Sequence, residues 1–192
     1  QVLSASAGGS PDVSDLTGTI VTATKPVQVI GGHNCIYIPW NVGYCDHIEE
    51  ALFPIETLSK SYLVTAPWIR PNQLKNQLVR VIATQPSTTL TFDPPQSGFP
   101  TAITNAGQYV ELPQSQASFQ VTANQKVMVV QYMLGQDAGG NTGDPAMAQA
   151  VAMEQYRLDY LFHAPTNYEL NFVNVTAPTG ATVLLDGTAI TG

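Results

Sequence analysis

"QVTANQKVMVV", Gln120 to Val130, has a counterpart one hundred residues upstream in "IVTATKPVQVI", Ile20 to Ile30. Five of the eleven positions are identical, among them Val21/Val121, Thr22/Thr122 and Ala23/Ala123. β-Branched residues dominate the upstream copy, and Val27 and Val29 alternate with Gln28, as a strand with two different faces requires. Thr24-Lys25-Pro26 interrupts the run as a hairpin turn would, and Asn124-Gln125-Lys126 stands at the matching place.

Two more blocks repeat in the same order. "DHIEEALFPIETLSKSYLVTAP" from Asp46 answers "DPAMAQAVAMEQYRLDYLFHAP" from Asp144, and both end in Tyr-Leu-x-x-Ala-Pro. "TLTFD" from Thr89 answers "TVLLD" from Thr182. The order predicts an all-β fold of internally duplicated, sandwich-like units with little helix. The expected division is a flexible lead-in over 1–15, a first unit over 16–113 and a second over 114–192. The sequence stops at "TAITG", just after an apparent hairpin, so the terminal strand of the second unit is expected to be either missing or supplied by a neighbour. "SYLVTAP" and "DYLFHAP" read as short strands stopped by proline. "QLVRVIATQPSTTLTFD" and "YELNFVNVTAPTGATVLLDG" read as two strands each, with turns at Gln85-Pro86-Ser87 and Pro178-Thr179-Gly180. "YVELP" in the connection adds a further strand. "HIEEALF" and "PAMAQAVAMEQY" are the only helical candidates, the second capped by Asp144.

Composition narrows the function. Seven basic residues face fourteen acidic ones, a net charge of −7, and the lysines and arginines are scattered singly. A phosphate backbone needs a concentrated basic footprint, so nucleic acid is excluded as a partner. No run of eighteen apolar residues exists to span a membrane. Only 11% of residues are charged, well below an average soluble domain, and Thr, Ser, Gln and Asn supply the polar surface instead.

The two paired blocks carry a family resemblance. "KPVQVIGGHNC" followed by "CDHIEEALFP", and later "GDPAMAQAVAMEQYRLDYLFHAPTNYELNFVNV", resemble the N-terminal domain of the IgGFc-binding protein family over about Leu16 to Gly187. The resemblance implies a β-rich module of a large secreted or surface protein of bacterial type, with a role in adhesion or matrix binding. No residue pattern here marks an Fc-binding surface, and that activity is not carried over.

Both cysteines lie in "GGHNCIYIPWNVGYCDH", Gly31 to His47. With His33 and His47 they offer a two-thiolate, two-imidazole shell for zinc. However, one residue separates each Cys/His pair, whereas common zinc modules space theirs more widely. An even cysteine count and an extracellular composition favour a Cys35–Cys45 disulfide. His33, Asp46 and His47 then remain either as a hydrogen-bonded cluster or as ligands of a divalent metal. Asp137, Asn141 and Asp144 in "GQDAGGNTGDPAM" invite calcium, with a plain loop as the alternative. Tyr37, Trp40 and Tyr44 inside the disulfide loop are the candidate binding residues for a protein or a glycan. The same rings folded onto the core would make the loop a clasp instead. Asn174-Val175-Thr176 is a glycosylation sequon, relevant in a eukaryote.

No residues are assigned to catalysis. GxSxG, HExxH, P-loop and dinucleotide motifs are missing, and adjacent Glu49 and Glu50 point different ways. The function expected is non-catalytic binding or adhesion at a cell surface or in the extracellular matrix, with self-association as a further candidate. The alternatives are a purely structural spacer and, remotely, a metal-dependent hydrolase.

Overall fold

The computed structural model describes residues 15–70, 73–164, 166–167 and 171–190. In chain order the strands are β1 (Ile30–Ile36), β2 (Asp46–Ala51), β3 (Ser59–Val64), β4 (Trp68–Arg70), β5 (Gln73–Leu74), β6 (Gln77–Ala83), β7 (Thr88–Asp93), β8 (Ala102–Ile103), β9 (Tyr109–Ser115), β10 (Phe119–Met133), β11 (Ala146–Gln149), β12 (Val183–Leu185) and β13 (Thr188–Ile190). Among the described residues the only helical pieces are two single turns, Ile55–Thr57 and Met153–Gln155. The all-β expectation is met.

β10 organises the seven-stranded sheet, and β1–β2, β4–β5 and β12–β13 form separate two-stranded ladders. The first half of β10 pairs with β3 and β7, and its second half with β6 and β11. β8 extends the first side beyond β7, and β9 extends the second beyond β6. Phe119, Val121, Ala123, Val127 and Val129 all point inward from this one strand. There they meet Tyr62 and Val64 of β3, Val79 and Val81 of β6, Leu90 of β7 and Leu112 of β9. The result is sandwich-like: two sheet portions share a strand and bury the main core. Phe92, Phe99 and Phe119 close one end of that core with edge-to-face ring contacts.

Asn124-Gln125-Lys126 is not a hairpin turn. The strand continues through it: the pairing with β3 shifts between Thr122 and Val127, and on the other edge β7, paired as far as Ala123, gives way to β6, paired from Val127. Side chains satisfy the backbone around this irregularity. Asn124 accepts from the Thr89 N–H and donates to the Ser87 carbonyl, while the Tyr62 hydroxyl donates to the Val127 carbonyl. Gln85-Pro86-Ser87 does turn the chain as expected. β6 and β7 do not pair with each other across it; both pair with β10.

The matching stretches sit in different settings. Val121 is fully buried, whereas Val21 and Val27 are exposed and lie outside any strand. Tyr62 is buried, and its counterpart Tyr160 is exposed. "DYLFHAP" forms no strand through Ala164. "HIEEA" forms β2 rather than a helix because β1 supplies a ladder for it, and Ala146–Gln149 forms β11 along β10. The Pro178–Gly180 turn is present, closed by the Ala181 N–H on the Pro178 carbonyl. Tyr168 to Leu170, where its first strand was expected to begin, lie outside the described residues, and Phe172 to Ala177 form no strand. Strands from both sides of Leu112-Pro113 enter the same sheet, and that dipeptide lies within β9.

Of the lead-in, 1–14 lie outside the described residues. Asp15 is tied to Arg80 of β6 at 2.7 Å, and Arg80 also binds Glu111 of β9 at 3.0 Å.

Candidate functional site: the loop closed by Cys35 and Cys45

β1 and β2 form an antiparallel hairpin in which His33 lies opposite Ile48 and Ile36 opposite Asp46. Its connection is the stretch singled out in the sequence. Cys35 and Cys45 are bonded to each other and clamp the hairpin where the ladder ends. Neither sulfur is therefore a thiolate available to zinc.

Within the loop, Pro39 to Val42 makes a turn closed by the Val42 N–H on the Pro39 carbonyl. Asn41 takes the left-handed conformation at φ 59°, which asparagine tolerates better than most residues. Trp40 is at the tip. Its ring meets the half-buried Tyr37 edge-on at 5.8 Å between centroids, yet Trp40 remains 62% exposed and Tyr44 63%. Val42 beside them is exposed as well.

The loop does not wave free. Ile38 is buried against Leu78 and Leu134, with Ile36, Tyr132 and Ala138 packed around them. Gly135 donates its N–H to the Ile38 carbonyl at 2.8 Å, and Asp137 donates to the Gly43 carbonyl at 3.1 Å. Gly135 has to be glycine here, because a Cβ would come within 2.9 Å of the Tyr44 carbonyl oxygen. One aliphatic side chain and two backbone bonds thus seat the loop on the segment that follows β10, and the aromatic side chains face out.

That seat has a buried lysine beneath it. Lys75 is 2% exposed. Its ammonium donates to the Thr142 carbonyl, and Gly139 and Gly143 lie so close that a Cβ on either would strike Nζ at 2.6 Å. Burial lowers the Lys75 pKa, and the Asp144 carboxylate opposes that shift. The loop read as a calcium candidate, with Asp137, Asn141 and Asp144, is thus wrapped around an ammonium group of the chain itself.

The structure does not gather His33, Asp46 and His47 into a ligand set. The His33 Nδ1 accepts from the Cys35 N–H, Asp46 accepts from the His47 N–H, and His47 lies 3.5 Å from Glu49. Among the described residues no group of three or more His, Cys, Asp or Glu side chains is placed to hold a metal ion. Two hollows, of about 330 Å³ and about 270 Å³, lie along β3, β10 and β11, and none of Tyr37, Trp40 and Tyr44 lines them.

Ile38, Leu134 and Lys75 are the residues that sequence reasoning missed, and Asp137, read as a calcium candidate, instead donates its backbone N–H to the loop. An aliphatic residue between Tyr37 and Pro39 was the one visible signal. Its burial partners Leu78 and Leu134 lie about forty and about a hundred residues further along the chain.

A family model described as IgGFc binding protein matches residues 1–192. No curated protein and no solved structure matches the chain significantly. The family match and the disulfide point together to an extracellular binding module. No helix among the described residues is long and apolar enough to cross a membrane.

Proposed function

Because the chain belongs to the IgGFc binding protein family, we propose that it is a non-catalytic extracellular module that binds a protein partner through the Cys35–Cys45 loop. One observation carries this reading: Trp40 and Tyr44 are exposed on a loop whose own fixing is done by Ile38, the disulfide and two backbone hydrogen bonds. Large rings left in water at the tip of a rigid support lose little conformational entropy when a partner covers them. Tryptophan and tyrosine are also the residues that most often dominate binding energy. Adhesion or attachment to matrix is the setting in which such a contact serves a surface protein.

The test is an array of extracellular and matrix proteins, with a glycan array beside it, probed with the full chain and with Trp40→Ala. Proteins bound by the wild type are expected to lose Trp40→Ala by roughly thirtyfold in affinity. The melting curve should stay in place, because Trp40 is not in the core. Equal binding of both chains to every target would overturn the proposal. Trp40-dependent binding confined to glycans would replace the protein partner with a sugar.

A further inference from the structure

We infer that the partner of this loop presents a basic surface, with Lys and Arg side chains around an apolar hollow that receives Trp40. The inference rests on the binding role proposed above and adds the chemistry of the partner.

The charge around the loop has one sign. From residue 26 to residue 59 the chain has no lysine or arginine, and it has Asp46, Glu49, Glu50 and Glu56. Asp46 follows directly on Cys45 and is exposed. Asp137 approaches from the other side: its carboxylate oxygen lies 3.4 Å from the position a Cβ would take on Gly43. Among the described residues, neither Asp46 nor Asp137 forms an ion pair, whereas Asp15 and Glu111 share Arg80. Lys75, under the segment on which the loop sits, is buried with its ammonium committed to the Thr142 carbonyl. Two exposed carboxylates, Asp46 at the bridged end of the loop and Asp137 beside Gly43, therefore stand on it with no ion-pair partner among the described residues.

Such a face steers cationic partners in and turns anionic ones away. A second copy of the chain is disfavoured, since each carries −7 and would present the same carboxylates. A neutral sugar stacking on Trp40 could donate hydroxyls to Asp46 and Asp137 but would leave both charges uncompensated. A protein with basic side chains around an apolar hollow uses both features at once.

A random peptide library displayed on phage is the probe, selected on the full chain after subtraction on Trp40→Ala. Selected peptides are expected to be enriched in Lys and Arg beside an apolar residue. Their affinity should fall about tenfold from low to high ionic strength. A comparable loss at low ionic strength is expected for Asp46→Asn combined with Asp137→Asn, with an unchanged melting curve because both side chains are exposed. Trp40-dependent peptides with no basic enrichment and no salt response would overturn the partner chemistry and leave the binding loop standing. A selection that yields no Trp40-dependent peptide would count against the loop and the basic partner together.

Discussion

Arg80 and Asp15, sixty-five residues apart, meet through an Nη1–Oδ2 contact of 2.7 Å that fastens the chain before β1 across β6 and β9. The guanidinium is held from every side. Glu111 accepts at 3.0 Å, the Thr17 hydroxyl at 2.9 Å, and the Tyr109 ring lies beneath it at 4.5 Å. The backbone follows closely: Gly18, at φ +86°, approaches Gly107 so tightly that a Cβ would stand 1.7 Å from its carbonyl oxygen.

This clamp should open in acid. Burial pushes the Asp15 carboxyl up, but hydrogen bonds from Thr17, then Arg80 and Tyr109, outweigh it and hold the pKa below 3.8. A carboxylate depressed in the folded state contributes stability above its unfolded pKa and loses it as pH falls through the folded value. Amide exchange at Thr17 to Thr19 should therefore accelerate once the pH drops below about 4. Asp15→Asn should show the fast exchange already at neutral pH. Gly18→Ala should do the same by steric conflict. Exchange unaltered in both variants would mean that the strap is held by something other than these contacts.

Tyr62 is the most sensitive single hydroxyl in the core. It is 1% exposed, donates to the Val127 carbonyl at 2.8 Å and accepts from the Ser59 N–H at 2.7 Å. Tyr62→Phe keeps the ring and strands both partners, at a cost of about 1–3 kcal/mol. The urea midpoint should fall with little change in the slope of the transition.

Cys35 and Cys45 close a loop with a sequence separation of 10. Alkylation of the native chain should add no mass, and alkylation after reduction should add two groups. Removing the bridge with Cys35→Ser and Cys45→Ser should cost about 2–3 kcal/mol in the chain-entropy account. Ile38 should keep the middle of the loop seated, so near-ultraviolet signals from Tyr62 and the phenylalanine cluster should persist.

Lys75→Ala should do more damage than its single charge suggests. It leaves the Thr142 carbonyl without its donor and opens the space under Gly139 and Gly143, a loss of about 1–3 kcal/mol. Lys75→Met fills the space without the buried charge and should be the milder change. In the wild type, the lowered lysine pKa means a penalty for the charged form that is present below the folded pKa. That penalty eases as pH rises from the folded value toward 10.5, so stability should climb on the alkaline side. A pH-independent difference between wild type and Lys75→Met would refute the account.

Periodicity was enough to find β3, β6, β7 and the Gln85–Ser87 turn, because each joins an alternating apolar run to a turn signal. It could not distinguish Ile20–Ile30 from Gln120–Val130. Letters shared at Val21 and Val121 say that both can be strand, but only tertiary contacts decide which one sits opposite Phe92 and Tyr62. In hindsight Pro26 was a clue, since proline supplies no N–H to a ladder. Lys126 in the matching place leaves β10 unbroken. The Glu-rich "HIEEA" has helical propensity, and pairing with β1 overrides it. Around the aromatic loop, the bridge and the rings were legible from local spacing. The seat under Ile38 was not, because it is assembled from Leu78 of β6 and from residues that follow β10.

The shared strand bears on how the polypeptide can be divided. Severed between Leu112 and Pro113, the chain gives a front piece in which β6 and β7 have lost β10 and keep only the start of β9 and the short β8 beside them. The back piece holds β10 with no neighbour on most of its length. Neither piece owns a core, and together they own one. Expressed as separate halves, they should remain unstructured alone and reconstitute on mixing, so the division works as a two-part reporter whose signal requires both fragments in the same place.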